Sequence, residues 1–141
     1  MKFKVYKNEK QLRNEEFYFN DQKIILIFHG LFGRAKNWHS IALRISSIFD
    51  GTIIVFDLRN HGENEPSTEI SYSIMAKDVY EFIQSKNISK ISIIGHSMGG
   101  KLGMLFSLLY PTFVKQLFVV DIAPVDYPRE EVEIVDYLLK I

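Results

Sequence analysis

The chain has 141 residues, of which 47% are hydrophobic, and its 17 basic side chains balance 17 acidic ones. That length and composition fit one compact domain and argue against disorder, and the zero net charge gives no electrostatic reason to expect nucleic acid or an anionic membrane as a partner. Cysteine is absent, so disulfides and thiolate zinc sites are excluded.

The N-terminal stretch carries charges throughout and lacks the apolar core of a signal peptide. No apolar run approaches the length that is needed to cross a bilayer. We therefore expect a cytoplasmic protein that has no membrane partner and binds no nucleic acid.

Short apolar runs alternate with amphipathic stretches along the chain. Short strands are predicted at residues 2–6 and 15–19. Longer apolar runs predict four strands, at residues 23–29, 51–57, 91–95 and 114–121. Apolar side chains spaced three and four apart predict helices, at residues 38–49, 71–85, 98–110 and 128–141. This alternation predicts an α/β fold with a mostly parallel sheet flanked by helices on both faces.

The carboxyl ends of the four apolar strands lead into loops that are rich in glycine or polar residues. These loops cover residues 30–33, 57–62, 95–100 and 121–124. Ligands of open α/β sheets gather at the carboxyl ends of the strands. We therefore expect the four loops to converge on one binding site.

One of these loops, Gly95-His96-Ser97-Met98-Gly99, fits the pattern G-x-S-x-G. The pattern alone arises by chance in roughly one chain in twenty of this length. Here it directly follows an apolar strand and opens a helix, which is the context of a nucleophile elbow that exposes the serine hydroxyl. The helix N-terminus offers N–H donors to a developing oxyanion. The alternative is a glycine-rich turn with an idle serine.

Four blocks of sequence, in this order, resemble the α/β-hydrolase family and within it the branch of small bacterial esterases. The blocks are FHGLFG, DLRNHG, GHSMGG and VVDIAPVDYP. The resemblance covers nearly the whole chain. It implies the N-terminal part of an α/β-hydrolase fold, with a partial core domain over residues 1–123 and the start of a cap or lid helix over 124–141.

The resemblance implies a role for each matching position. Ser97 would attack the carbonyl carbon of an ester or thioester, and the backbone N–H groups of Leu31 and Met98 would form the oxyanion hole. Asp121 would orient the catalytic histidine, with Asp126 as the competing acid. No metal or organic cofactor is implied, and the implied partner is a small-molecule ester or thioester.

The other notable residues at this edge of the sheet are expected to have structural roles. Asp57 and His61 are expected to hold their loop together by hydrogen bonds. His29 is expected to shape the loop that follows the first apolar strand. Trp38 is expected in the core rather than beneath a substrate.

The catalytic histidine of the family is absent from this chain. Ser, Asp and His follow in that order in this fold, whereas all four histidines precede Ser97. We therefore expect a missing C-terminal segment, a nearly inactive and poorly stable chain, and an apolar sheet edge at 114–121 that is prone to aggregation. Two hypotheses stay open: a serine ester hydrolase, fragmentary or completed by another chain, and an inactive remnant or interaction protein.

Overall fold

A computed structural model describes residues 1–13 and 23–126. The strands in these ranges are β1 Phe3–Lys7, β2 Lys10–Leu12, β3 Ile24–Phe28, β4 Thr52–Phe56, β5 Ile91–His96 and β6 Val114–Val120. The helices are α1 His39–Ile48, α2 Tyr72–Ser85 and α3 Met98–Leu109, and 3₁₀ turns cover Ala35–Trp38 and Pro111–Phe113. The strand predicted at 15–19 and the helix predicted at 128–141 lie outside the described residues.

The strands of this part of the chain form one sheet in the order β2-β1-β4-β3-β5-β6. β4, β3, β5 and β6 run parallel, while β1 pairs antiparallel with both β4 and β2. The predicted mostly parallel α/β sheet is therefore confirmed. The four parallel strands bring their carboxyl ends, and the loops that follow them, to the same edge of the sheet.

β2 is a strand that the sequence pattern did not reveal. It pairs with β1 through a hairpin in which Lys7 lies opposite Lys10. The two residues of the turn, Asn8 and Glu9, have φ angles of 51° and 59°, as in the hairpin turns whose twist matches that of the flanking strands. Asparagine tolerates this conformation, whereas glutamate gives no turn signal, so the hairpin was not predicted.

The core is divided by the sheet into two layers. On one face, side chains such as Leu26 and Phe28 pack with α2 and α3. On the other face, Ile25 and Ile27 pack with α1. Every residue of β3 is buried because helices cover both faces, which explains its uninterrupted apolar sequence. Each large aliphatic side chain buried in this way contributes roughly 1.5–3 kcal/mol.

The long loop between β4 and α2 is attached to α2 by an arginine. Arg59 makes a bidentate pair with Asp78, with Nε 2.8 Å from Oδ2 and Nη2 2.7 Å from Oδ1. Its third nitrogen, Nη1, donates to the Ser67 hydroxyl at 3.0 Å. This bidentate geometry fixes the directions of the two hydrogen bonds between Arg59 and Asp78 as well as their distances. The loop is thereby held at the carboxyl edge of the sheet.

Candidate active site

The turn between β5 and α3 has a strained backbone at its serine. Ser97 adopts φ 52° and ψ −117°, a conformation that costs about 1–3 kcal/mol and concentrates at functional sites. Its N–H donates to the Val120 carbonyl oxygen at 3.0 Å, and its own carbonyl oxygen accepts from the Gly100 N–H at 2.8 Å. These bonds tie the turn to β6 on one side and to the first turn of α3 on the other.

The flanking glycines allow backbones to approach each other closely at this turn. A Cβ on Gly95 would lie 2.7 Å from the Gly100 Cα and would collide with the Gly99 carbonyl oxygen. A Cβ on Gly99 would lie 2.6 Å from the His29 carbonyl oxygen. Glycine at a strand end often marks such a close backbone approach. The two glycines of the pattern are therefore required by the contact between β5, α3 and β3.

The loop that follows β3 lies beside the serine. A Cβ on Gly30 would be 3.3 Å from the Ser97 Cβ, so this loop passes near the serine and leaves little room for a side chain at position 30. Leu31 comes next, and the loop closes with the Gly33 N–H donating to the Gly30 carbonyl oxygen at 3.0 Å. Met98 is the first residue of α3, where an N–H has no partner within the helix. Leu31 and Met98 thus both flank the elbow, and their oxyanion-hole role stays a prediction.

Asp121 follows β6 directly and lies near the elbow. It adopts φ 57°, and its carboxylate is 87% exposed, with one oxygen 3.9 Å from the Nε2 atom of His96. Asp126, the competing acid, lines a groove along α3 together with Leu108. The two acids therefore occupy different surroundings, and the choice of Asp121 as the catalytic acid stays a prediction.

The contact between His96 and Asp121 was not predicted. It follows from the register of the sheet, because His96 lies opposite Val120 and therefore beside the residue after it. Each of the two side chains belongs to a recognisable motif of its own. The register that joins them could not be predicted, because it depends on β5 and β6 being neighbours.

His29 is fully buried, and both of its ring nitrogens have partners. Nδ1 lies 2.8 Å from the Gly30 carbonyl oxygen, and Nε2 lies 3.0 Å from the Leu58 backbone nitrogen. An amide N–H can only donate, so Nε2 accepts and the proton is assigned to Nδ1. Burial lowers the pKa of His29 below its ordinary value. This neutral ring shapes the loop after β3, as expected, rather than transferring protons.

The free energy of unfolding should fall as the pH drops below about 6.5, the ordinary histidine pKa. The folded chain binds a proton at His29 less readily than the unfolded chain does, because burial lowers the pKa of the ring. The unfolded state therefore binds more protons, and stability rises with pH through this range. The loss should reach at most about 1.4 kcal/mol per pH unit, and urea unfolding at several pH values measures it.

The parent chain is the reference for this pH dependence. His29→Gln should flatten the slope of stability against pH relative to the parent chain, because glutamine does not titrate in this range. An unchanged slope in the His29 variant would show that another group accounts for the pH dependence.

Asp57, at the end of β4, is buried and holds two loops together. Its Oδ1 atom accepts from the Ala35 N–H at 2.6 Å, and its Oδ2 atom accepts from the Glu63 N–H at 3.0 Å. In the same loop, His61 Nδ1 lies 2.8 Å from the Arg59 carbonyl oxygen. Backbone donors satisfy a buried carboxylate well. Both residues therefore have the structural role that was expected of them.

A wide cavity lies next to the loop after β3. Its volume is about 670 Å³, and it is lined by Leu31, Phe32, Gly33, Arg34, Asn37, Asn60, His61 and Gly62. The cavity lining begins at Leu31, the residue after Gly30. The lining includes Leu31 but neither Ser97 nor Met98. Trp38 packs partly buried against the core on the α1 face, and its ring centroid lies 6.3 Å from that of His96; its role in the core rather than beneath a substrate stays a prediction.

Residues 1–13 and 23–126 contain neither a metal-binding cluster nor a membrane-spanning helix. No group of three or more His, Asp or Glu side chains in these ranges is placed to hold a metal ion. No helix in the same ranges combines the length and the apolar character that a membrane span requires.

The sequence of this chain is similar to a protein family and to several known proteins. Residues 23–140 match the family described as alpha/beta hydrolase fold. A Haemophilus influenzae protein provisionally named an esterase/lipase is 43% identical over 122 residues, 84% of this chain and 42% of that protein. Ethanol acetyltransferase 1 of Hanseniaspora uvarum is 32% identical over 138 residues, 98% of this chain and 40% of that protein.

The fold of this chain is also similar to that of solved structures. The structure of a marine microorganism esterase is 40% identical to this chain and superposes with a TM-score of 0.76, covering 84% of this chain and 47% of the esterase. The chain therefore spans about two fifths of the curated relatives it matches and just under half of this esterase.

Proposed function

Because the chain belongs to the α/β-hydrolase fold family, we propose that it carries the nucleophile part of a serine hydrolase that cleaves carboxylic esters or acyl thioesters. The observation that carries the proposal is the strained Ser97 between β5 and α3, with the loop after β3 passing near it. The relatives named as esterases support the same chemistry.

The proposed reaction passes through an acyl-enzyme on Ser97. The Oγ atom attacks the carbonyl carbon, and the N–H groups of Leu31 and Met98 donate to the oxyanion that forms, aided by the positive end of α3. The alcohol or thiol then leaves with a proton, and an acyl-serine remains. Water attacks this ester, releases the acid and restores the serine.

Both steps need a group that accepts and returns a proton. A neutral serine hydroxyl is a poor nucleophile at pH 7 without a base, and in this fold the base is a histidine that follows the acid. The exposed Asp121 fits the acid that would orient such an imidazole at this edge of the sheet. Since all four histidines precede Ser97, an inactive remnant or interaction protein is the alternative proposal.

A second candidate is acyl transfer to an alcohol instead of to water. The acyl-serine and the oxyanion hole are the same in both reactions, and only the acceptor differs. The match to an ethanol acetyltransferase over 98% of this chain favours this candidate. Release of an ester rather than a free acid in the presence of ethanol would identify it.

Labelling with a fluorophosphonate tests the proposed nucleophile. We expect slow but specific phosphonylation of Ser97, because the strained turn and the nearby N–H donors favour attack even when a base is lacking. Peptide mass spectrometry of the purified 141-residue chain locates the adduct.

Two variants make this result specific. Ser97→Ala should abolish labelling, while Ser107→Ala should retain it, since the Ser107 hydroxyl only donates to the Gly103 carbonyl oxygen inside α3. Labelling of Ser97 no faster than in urea-unfolded chain would favour the inactive remnant.

A further inference from the structure

The ring of His29 connects the backbone after β4 to the backbone after β3. The Leu58 N–H donates to its Nε2 atom at 3.0 Å, and its Nδ1–H donates to the Gly30 carbonyl oxygen at 2.8 Å. The ring is 0% exposed, so bulk water does not compete for either bond. Hydrogen bonds in a row of this kind polarise and strengthen one another. The Gly30 carbonyl group is therefore held in place from β4.

The Gly30 carbonyl oxygen also has a second donor. The Gly33 N–H donates to it at 3.0 Å and closes a turn over residues 30–33. Two hydrogen bonds to one oxygen hold the plane of the peptide group between Gly30 and Leu31. A trans peptide group is planar, and its N–H points opposite to its C=O. The Leu31 N–H is therefore directed away from His29 and toward the outside of the turn.

The Leu31 N–H is left available for a ligand in this arrangement. Within residues 1–13 and 23–126, no acceptor bonds to it. The loop that carries it passes near the elbow, since a Cβ on Gly30 would lie 3.3 Å from the Ser97 Cβ. A backbone donor that is fixed in direction before substrate arrives is what an oxyanion hole requires.

The sequence of the turn does not favour its conformation. Phe32, the third residue of the turn, has φ 61°, which a type II turn requires at this position and which glycine or asparagine normally supplies. For a bulky residue such as phenylalanine this conformation is an outlier. Contacts from outside the turn must therefore hold it. They come from His29 at one end and, just beyond the other end, from Asp57, which accepts from the Ala35 N–H at 2.6 Å.

We propose that His29 is a positioning residue, which directs the Leu31 N–H toward the point beside Ser97 where the oxyanion forms. If the peptide group rotated by half a turn, this N–H would face the N–H groups of His29 and Gly33 and would find no acceptor. The oxyanion would then lose one of its two donors. The inference rests on the proposed function, in which the Leu31 N–H is one half of the oxyanion hole.

Two substitutions of His29 separate its two hydrogen bonds. The side-chain nitrogen of asparagine lies as many bonds from the backbone as Nδ1, so His29→Asn keeps a donor for Gly30 and loses the acceptor for Leu58. The side-chain oxygen of glutamine corresponds to Nε2, so His29→Gln keeps the acceptor and loses the donor. Each variant loses one buried hydrogen bond. Urea unfolding should therefore show similar losses of stability in the two variants.

Nuclear magnetic resonance measures the direction of the Leu31 N–H without any reaction at the serine. In the parent chain and in His29→Asn, the Leu31 amide proton should show a nuclear Overhauser effect to the β protons of Ser97. In His29→Gln this effect should be lost. Spectra recorded at about pH 8 keep the ring neutral, because burial lowers the pKa of His29 below its ordinary value.

The rate of fluorophosphonate labelling at Ser97 measures the chemical consequence. His29→Gln should slow labelling roughly a hundredfold, which is the effect of removing one oxyanion-hole donor. His29→Asn should recover most of this loss. A merely structural role of the ring would slow both variants alike.

Leu31→Pro removes the N–H itself and is the matched reference. Proline suits the second position of a type II turn, so the turn should persist while labelling slows by roughly the same hundredfold. His29→Gln added to Leu31→Pro should then slow labelling no further. This comparison also holds if His29→Gln alone proves unfolded by circular dichroism, because Leu31→Pro tests the donor without a change at His29.

The positioning role and the proposed function can fail separately. Equal slowing in His29→Asn and His29→Gln, or the absence of the Overhauser effect in the parent chain, would overturn the role of His29 even if Ser97 is labelled. The expected pattern of Overhauser effects without any labelling of Ser97 would support the positioning of the N–H and would refute the serine chemistry. Unchanged labelling in Leu31→Pro would exclude this N–H from the oxyanion hole.

Discussion

The 141-residue chain should hydrolyse p-nitrophenyl butyrate on the order of a million-fold more slowly than a serine esterase with a complete triad. The reason is that the Ser97 hydroxyl must transfer its proton to a base when it attacks the ester. No histidine follows this serine in the chain, and His29, which lies close to the elbow, is buried with both ring nitrogens occupied. The remaining catalysis would come from the oxyanion hole and from substrate binding, as in subtilisin without its histidine.

Initial rates of the purified chain against the Ser97→Ala variant measure this activity. Imidazole added to the buffer should raise the rate of the parent chain by replacing the missing base. Imidazole also hydrolyses p-nitrophenyl esters by itself, so Ser97→Ala in the same buffer is the matched blank. Turnover comparable with that of ordinary esterases would show that one of the earlier histidines, or another group, already acts as the base.

Gly99→Ala should destabilise the chain by roughly 3 kcal/mol or more, which corresponds to a fall of about 10 °C in the midpoint of thermal unfolding. Helix propensity alone predicts a gain of about 1 kcal/mol. The added methyl group would collide with the carbonyl oxygens of Phe28 and His29. These are backbone atoms at the end of the central strand β3, so the collision cannot be relieved by a side-chain rotation.

Gly103→Ala, in the same helix, is the matched control. A Cβ there would lie 2.8 Å from the Leu117 Cδ1 atom and 3.2 Å from the Ile93 Cγ2 atom, which are the ends of side chains that can shift. This variant should stay within about 1 kcal/mol of the parent. Thermal unfolding followed by circular dichroism compares the two. An equal loss in both would assign the effect to general crowding of α3 rather than to the elbow.

The long elements could be predicted from the sequence because their patterns are local. β3 and β4 are buried along their whole length and read as apolar runs, and α2 shows its apolar spacing and begins after Ser71, whose hydroxyl accepts from the Ile74 N–H at 3.2 Å. β2 has three residues, too few to show a pattern. The position of β3 between β4 and β5 also could not be predicted, because strand order depends on contacts far apart in sequence.

In the candidate site, too, the features that depend on neighbouring residues could be predicted, and those that depend on distant residues could not. Ser97 could be located from the sequence because the glycines, the strand before it and the helix after it are contiguous. The structural role of Asp57 was predicted, but its donors Ala35 and Glu63 could not be named, since they come from different loops. The approach of His96 to Asp121 depends on strand register, which no local pattern contains.

The backbone angles at Ser97 also limit which other nucleophile this turn could carry. At φ 52° and ψ −117° a β-branched side chain is crowded by its own backbone. Threonine is therefore excluded, although its hydroxyl offers the same chemistry as that of serine. Cysteine has a single atom beyond Cβ and fits the same space. The bend at position 97 can therefore exchange the oxygen nucleophile for sulfur without a change of its backbone.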